Sequence, residues 1–370
     1  MRLSSAALTL LALCCFYVLS KENERNDFDI IPCRVQSRLR GKPIEEREED
    51  SNKEIIVIGD IHGCLHGFLE VMYEANLTLS RDLCEWKPEG AKDTLVVQVG
   101  DIVDRGNNTL GVHRCLEHLQ KTTPNSSKLI RLIGNHEIWW LTGSYHNRNK
   151  DTDDKSSVKE VVEGLKEGIR EGRILGSFAA RIMAMPILFT HAGFRPAMID
   201  FIRRQHRTRN NEIEDLQPED LSQYVNSVVK EMTTPEACSH VKRQGDIGKE
   251  WTHCSYRHEL FEAGPDRGGN NIGGPYWTDY SVLNTVESEP GDIISSMVQV
   301  VGHTISPRRI IRNTRYMETI GVDSGMYIGG RTFLKISKYG RFTAHEKLTT
   351  GKYRDGAWTF RDLTKELCGT

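Results

Sequence analysis

The run Gly59-Asp60-Ile61-His62-Gly63 recurs in kind at Gly100-Asp101-Ile102-Val103-Asp104-Arg105-Gly106 and again at Gly134-Asn135-His136-Glu137. Each run follows an apolar, β-branched stretch, which predicts a loop at the C-terminal end of a buried strand. Two later histidines share that setting: His191 ends Ile187-Leu188-Phe189-Thr190, and His303 follows Met297-Val298-Gln299-Val300-Val301-Gly302. Asp60, His62, Asp101, Asn135, His191 and His303 therefore stand on five strand ends. A fold that brings them together must wrap most of the chain around one point. One domain with insertions satisfies this; two separate domains that divide the residues do not.

The residue types suggest why they would meet. Their oxygen and nitrogen donors suit hard or borderline divalent ions. Two such ions about 3.5–4 Å apart, sharing a bridging carboxylate, generate hydroxide at neutral pH and polarise a phosphoryl oxygen. The adjoining glycines let the backbone turn sharply enough for strand-end side chains to converge. A single histidine after a strand, or a single Gly-Asp, is usually a hydrogen-bonded side chain or a turn. Five such loops in order call for a common purpose.

The series GDIHG, GDIVDRG, GNHE, HAG and GHT resembles the phosphoprotein phosphatases, within the calcineurin-like metallophosphoesterases, over about residues 54–340. The run Asp93-Thr94-Leu95-Val96-Val97-Gln98-Val99, together with Gly302-His303-Thr304 and Gly321-Val322-Asp323-Ser324-Gly325-Met326, is similar to the Shewanella-like branch. That branch is related to bacterial diadenosine tetraphosphatases. The resemblance implies an α/β fold with a metallophosphoesterase-type β-sandwich core, flanking helices and cap insertions. It places Asp60 and His62 on a first ion, Asp101 as the bridge, and Asn135, His191 and His303 on a second. Manganese is the expected metal, with iron or zinc as alternatives.

By the same resemblance His136 is the general acid, Asp104 its orienting carboxylate, and Arg105 the phosphate grip. An imidazole that titrates near neutrality suits proton donation, and a planar guanidinium suits phosphate oxygens. The family's second phosphate-binding arginine has no clear match; Arg195 and Arg308 are candidates. No SAPNY-like segment lies near the C-terminus, so insensitivity to the usual toxin inhibitors is expected.

The implied activity is dephosphorylation of phosphoproteins or peptides, on serine and threonine or on tyrosine. Attack would come directly from hydroxide held between the ions. One alternative is hydrolysis of dinucleoside polyphosphates, for which Trp139, Trp140 or Trp277 could stack a base. Another is a non-catalytic lumenal metal-binding scaffold. The net charge of −2 and the lack of a long basic stripe argue against a nucleic-acid partner.

At the N-terminus, Arg2 precedes an apolar run from Ala6 to Leu19, which is short for a bilayer span, and Ser20 is followed by Lys21-Glu22-Asn23-Glu24. Residues 1–20 thus read as a signal peptide, placing the protein in the secretory lumen or outside the cell. A membrane anchor or an organellar presequence is the alternative, and no stable transmembrane span is expected. Of nine cysteines, seven lie beyond this segment, an odd number, and a Cys238–Cys254 bridge is compatible with the spacing.

The charged stretch 21–53 reads as flexible, 54–345 as the catalytic domain with cap insertions at about 143–181 and 195–275, and 346–370 as a tail. The domain opens as βαβ: strand 54–58, a helix with Leu65, Phe68, Leu69 and Met72 on one face, then strand 94–99. A second helix, marked by Val112, Cys115, Leu116 and Leu119, precedes strand 128–133. The glycine-rich run 264–275 lacks phosphate-loop spacing and is expected to be a mobile loop.

Overall fold

The computed structural model describes residues 29–30, 53–125, 127–145, 147–149, 153–182, 185–209, 216–238, 253–283, 297–305, 311–313 and 318–347. The expected signal segment, most of 21–53, Arg308 and the chain after 347 lie outside the described residues.

The apolar runs form strands: β1 (Asp29–Ile30), β2 (Glu54–Ile58), β3 (Thr94–Gln98), β4 (Lys128–Leu132), β5 (Ile174–Leu175), β6 (Ser177–Ile182), β7 (Met185–Thr190), β8 (Val298–Val301), β9 (Ile311–Asn313), β10 (Glu318–Gly321), β11 (Arg331–Ile336) and β12 (Phe342–Lys347). They make two sheets, ordered β1-β12-β11-β2-β3-β4-β5 and β6-β7-β8-β10-β9. β2 through β5 run parallel in the first sheet, and β7, β8 and β10 run parallel in the second.

Alternation along the strands divides the core in two. Ile55, Val57, Leu95, Val97, Ile130 and Leu132 pack with Ile187, Phe189, Val298, Val300 and Ile320 between the sheets. Ile56, Ile58, Val96 and Leu129 instead join the cluster made with the helices. Strands buried on both faces are apolar throughout, and β2 and β3 have that character.

The helices are α1 (Leu65–Glu74), α2 (Thr109–Lys121), α3 (Asn135–Leu141), α4 (Lys155–Arg170), α5 (Pro196–Arg209), α6 (Pro218–Met232), α7 (Pro235–Cys238) and α8 (Tyr280–Leu283). α1 buries Phe68, Leu69 and Met72, and α2 buries Val112, Cys115, Leu116 and Leu119, as their periodicity predicts. The Asn108 side chain caps α2 by accepting from the Gly111 amide.

The stretch 143–181 contains α4, β5 and β6. Asp154 caps α4, which buries Val158, Val161, Val162, Leu165 and Ile169. β5 extends the first sheet and β6 opens the second. The polar composition comes from the opposite face of α4, where Lys159, Glu160, Glu163 and Glu167 are exposed. Much of 195–275 is also a flanking layer. α6 buries Leu221, Val225, Val228 and Val229, and its Asn226 carboxamide oxygen accepts from the Gly176 and Ser177 amides at 2.7 and 3.1 Å.

Among the described residues, the part from about residue 253 onward includes Trp277, which packs on Trp139 beside His136. Its glycine-rich run is folded back on itself by backbone bonds, including Gly269 N to Gly264 O at 2.9 Å and Gly274 N to Glu262 O at 2.8 Å. Among the described residues two disulfides are present, the anticipated Cys238–Cys254 and an unanticipated Cys84–Cys115. No helix among the described residues is long and apolar enough to cross a membrane.

Candidate dinuclear metal centre

All six expected ligands meet at the C-terminal edge of the two sheets. Asp60 and His62 follow β2, Asp101 follows β3, Asn135 opens α3 after β4, His191 follows β7 and His303 follows β8. Asp101 is central: its Oδ2 lies 3.5 Å from His62 Nε2, 3.4 Å from His191 Nε2 and 3.9 Å from His136 Nε2. His191 Nε2 is 2.8 Å from Asn135 Oδ1 and 3.2 Å from His303 Nδ1, and His303 Nδ1 is 3.0 Å from Asn135 Oδ1.

Backbone carbonyls fix the tautomers. His62 Nδ1 lies 2.8 Å from Val103 O and His191 Nδ1 lies 3.0 Å from Val99 O. A carbonyl only accepts, so each Nδ1 carries a proton and each Nε2 faces inward, as metal-binding histidines are held. His191 Nε2, His303 Nδ1 and Asn135 Oδ1 thus converge on one point, a donor set that a cation could join.

The electrostatics agree. Burial, then Asp323, then Asp101 raise the Asp60 carboxyl well above its usual range. Burial followed by Asp101 raises Glu137. Burial pushes His62 down to about 3. At Asp101 burial opposes ionisation, but His191 and His136 outweigh it and hold this carboxyl well below its usual range. The donors therefore fit divalent cations of the O/N-preferring kind.

The sequence marked the next residue, Glu137, only as part of a motif. Its Oε2 accepts from the Gly134 and Asp101 amides at 2.7 and 2.8 Å, and its Oε1 from Ile102 and Val103 at 2.8 and 3.2 Å. One buried carboxylate thus ties the Asp101 loop to the Asn135 loop. Glu137→Ala leaves buried amides without acceptors, each costing about 1–3 kcal/mol. We expect a loss of at least about 3 kcal/mol in urea unfolding; a change under about 1 kcal/mol would show the clamp to be dispensable.

The backbone is strained where the site is built. Five of the seven non-glycine residues with positive φ among the described residues are His62, Asp101, Asp104, Arg105 and His303. Gly134 is required for a different reason, since a Cβ there would sit 2.1 Å from Asp101 Oδ1.

Beside these residues stands the His136–Asp104 pair. His136 Nδ1 is 2.5 Å from Asp104 Oδ2, and Trp140 Nε1 donates to Asp104 Oδ1 at 2.7 Å. Trp140 is fully buried in this role, which removes it as a base-stacking surface. Arg105 Nη2 lies 3.3 Å from His136 Nε2, and its Nη1 donates to Tyr327 Oη at 3.1 Å.

Tyr327 was not singled out in the sequence. Its ring lies 5.0 Å from the Arg105 guanidinium and 5.4 Å from His62. The turn carrying it, Met326–Ile328, is fixed by buried Arg331, which donates to Met326 O and to Glu70 Oε2, both at 2.8 Å. Arg195 reaches Asp266 at 3.3 Å in the glycine-rich loop. Trp139 and Trp277 lie 5.0 Å apart, and Trp139 packs 4.8 Å from His136.

Asp323, also missed as a functional residue, is raised to about 6 by burial, with Asp101 adding to the rise, and its Oδ1 accepts from Gly325 N at 2.8 Å. A cation displaces protons held by such carboxyls. Cation affinity should therefore climb as pH rises through about 6, with protons released on binding. Calorimetry in buffers of different ionisation enthalpy measures this, and pH-independent uptake would contradict it.

A model of the calcineurin-like phosphoesterase family matches residues 53–260. The chain belongs to that family, and its two-sheet core flanked by helices is the metallophosphoesterase fold. Among curated proteins it is 36% identical over 92 residues to Shewanella-like protein phosphatase 2 of Arabidopsis thaliana, covering 25% of this chain and 22% of that one. It is 33% identical over 150 residues to Shewanella-like protein phosphatase 1 of Plasmodium berghei, covering 38% and 39%. The chain spans less than half the length of these relatives. A solved cold-active protein-tyrosine phosphatase of a psychrophilic Shewanella aligns with a TM-score of 0.49 and 17% identity, over 84% of this chain and 86% of that one.

Proposed function

We propose that the protein is a metal-dependent phosphomonoesterase acting on phosphorylated proteins or peptides. One observation carries this reading. The His136–Asp104 pair and the Arg105 guanidinium point to the same place as Asp101, the carboxylate shared by both ligand groups. Asp60, His62, Asp101, Asn135, His191 and His303 would hold the cations. When bound, two divalent ions supply Lewis-acid polarisation of a phosphoryl oxygen and acidify a water.

The chain's own residues do the rest. Arg105 binds the non-bridging phosphate oxygens with its fork and is presented for this by Tyr327. His136 gives its Nε2 proton to the departing oxygen. Asp104 holds Nδ1 and stabilises the imidazolium while Nε2 is charged. The names of the Shewanella-like relatives support a phosphoprotein substrate.

A second reading, a dinucleoside polyphosphate hydrolase, is favoured by the half-buried Trp139–Trp277 pair beside His136, which offers a base an aromatic face. A non-catalytic scaffold would have no use for the His136–Asp104–Trp140 chain. The reading also extends to location. Two disulfides support an oxidising compartment, in keeping with residues 1–20 as a secretory signal.

The test is phosphate release by the manganese-loaded protein from phosphotyrosine, phosphoserine and phosphothreonine peptides and from diadenosine tetraphosphate. A phosphopeptide should be preferred. Preference for the dinucleotide would replace the first reading with the second, and no hydrolysis of any of these would leave the scaffold.

A further inference from the structure

The segment closing the rim reaches the metal ligands from behind. His303 turns Nδ1 toward Asn135 and His191, and its backbone amide donates to both Asp60 carboxylate oxygens at 3.1 Å. The opposite ring nitrogen, Nε2, is buried and has no hydrogen-bond partner among the described residues. A metal-ligating histidine almost always donates its second ring N–H, and the acceptor fixes ring orientation and basicity. His62 and His191 have such acceptors in Val103 and Val99. At His303 the nearest carboxylate oxygen is Asp279 Oδ1, 3.9 Å from Nε2.

Asp279 is held on two sides. Arg267 Nε donates to its Oδ2 at 3.0 Å, and Arg267 Nη2 donates to its Oδ1. Arg267 stands in the 3₁₀ turn Pro265–Arg267 of the glycine-rich run, and the left-handed Gly268 ends that turn. On the other side, the next residue is tied to the His303 loop: Tyr280 N donates to Thr304 Oγ1 at 2.9 Å. Tyr280 Oη donates to Thr319 O of β10 at 3.0 Å. A shift of about 1 Å brings Asp279 within hydrogen-bond reach of Nε2–H.

We propose that Asp279, clamped by Arg267, is the positioning residue for the His303 imidazole, so that the glycine-rich loop over the rim sets the affinity of the second cation. This rests on the dinuclear reading of the site. Asp279 touches neither the phosphate nor the ions; it acts through His303. Its consequence is that the loop placed to contact substrate also governs metal retention, and a displacement of Arg267 is felt at His303.

The experiment titrates manganese into the chelator-stripped full chain and counts bound ions by mass spectrometry and a competing fluorescent chelator. Wild type should take up two ions and His303→Ala should lose the weaker of them. Asp279→Ala should weaken one site alone, by about 10- to 100-fold. Arg267→Ala should act in the same direction by less, and the double variant should be no worse than Asp279→Ala. Asp279→Asn keeps an acceptor for Nε2–H and should recover part of the loss. If Asp279→Ala and Arg267→Ala bind both ions as wild type does while His303→Ala loses one, Asp279 is only a latch for the loop and the proposal falls, with the metal site intact. A wild-type chain that binds no manganese overturns the proposal together with the functional reading.

Discussion

Asp101→Asn is expected to bind manganese more than about 100-fold more weakly than wild type and to lose phosphate release with it. Changes to outer-shell partners alone cost metalloproteins about 10- to 100-fold in affinity, and Asp101 is no outer-shell group. It is the carboxylate that both ligand groups face, 3.5 Å from His62 and 3.4 Å from His191. Asparagine preserves the shape, and its carbonyl oxygen can still accept from the His136 amide, as Asp101 Oδ1 does at 3.0 Å. The loss is therefore one of charge and bridging, not of folding. Metal content after gel filtration, with circular dichroism alongside, measures it. Retention of two ions with full turnover would remove Asp101 from the centre of the account.

His136→Asn should produce the opposite pattern: metal retained, turnover lowered by about 10²- to 10⁴-fold. Two features make that split specific. His136 Nδ1 is engaged by Asp104, which Trp140 in turn fixes, and its Nε2 lies farther from Asp101 Oδ2, at 3.9 Å, than His62 or His191 does. General-acid help matters most when the leaving oxygen is a poor one. The deficit should therefore be largest on an alkyl phosphate and smallest on an activated aryl phosphate. A uniform deficit across leaving groups would point to lost binding or packing, and near-wild-type turnover on an alkyl phosphate would make the acid assignment wrong.

The parts of this arrangement legible in the sequence were those with strong local signals. An apolar β-branched run ending in Gly-Asp or Gly-Asn announces both a strand and what its end presents, so the six candidate ligands could be named before any geometry, while the parts given to His136, Asp104 and Arg105 came from the family resemblance. Helices α1 and α2 were legible for the same reason, each showing apolar residues at i, i+3, i+4 and i+7. In the polar stretch 143–181, α4 exposes so many charges that composition hid the stripe from Val158 to Ile169.

Other residues were hidden because their roles exist only between segments. Glu137 looks like any first-turn acid until the Asp101 loop is folded against it. Tyr327 becomes a rim residue only when Arg331 and Glu70, remote in sequence, fix its turn. Arg267 lies in the glycine-rich run and Asp279 just beyond it, where no local pattern ties a carboxylate to a histidine further along the chain. The Cys84–Cys115 bridge joins residues 31 apart with no motif at either end. Arg195, a candidate for the second phosphate grip, is paired with Asp266.

The central claim is that two cations held by these six residues are required for phosphate release. The most direct measurement strips the full chain with chelator, restores manganese stepwise, and records bound metal and phosphate release on the same samples. No release is expected without metal, and the rise should complete as the second ion per chain binds. Full release from the stripped protein, or a plateau reached with no bound manganese, would contradict it.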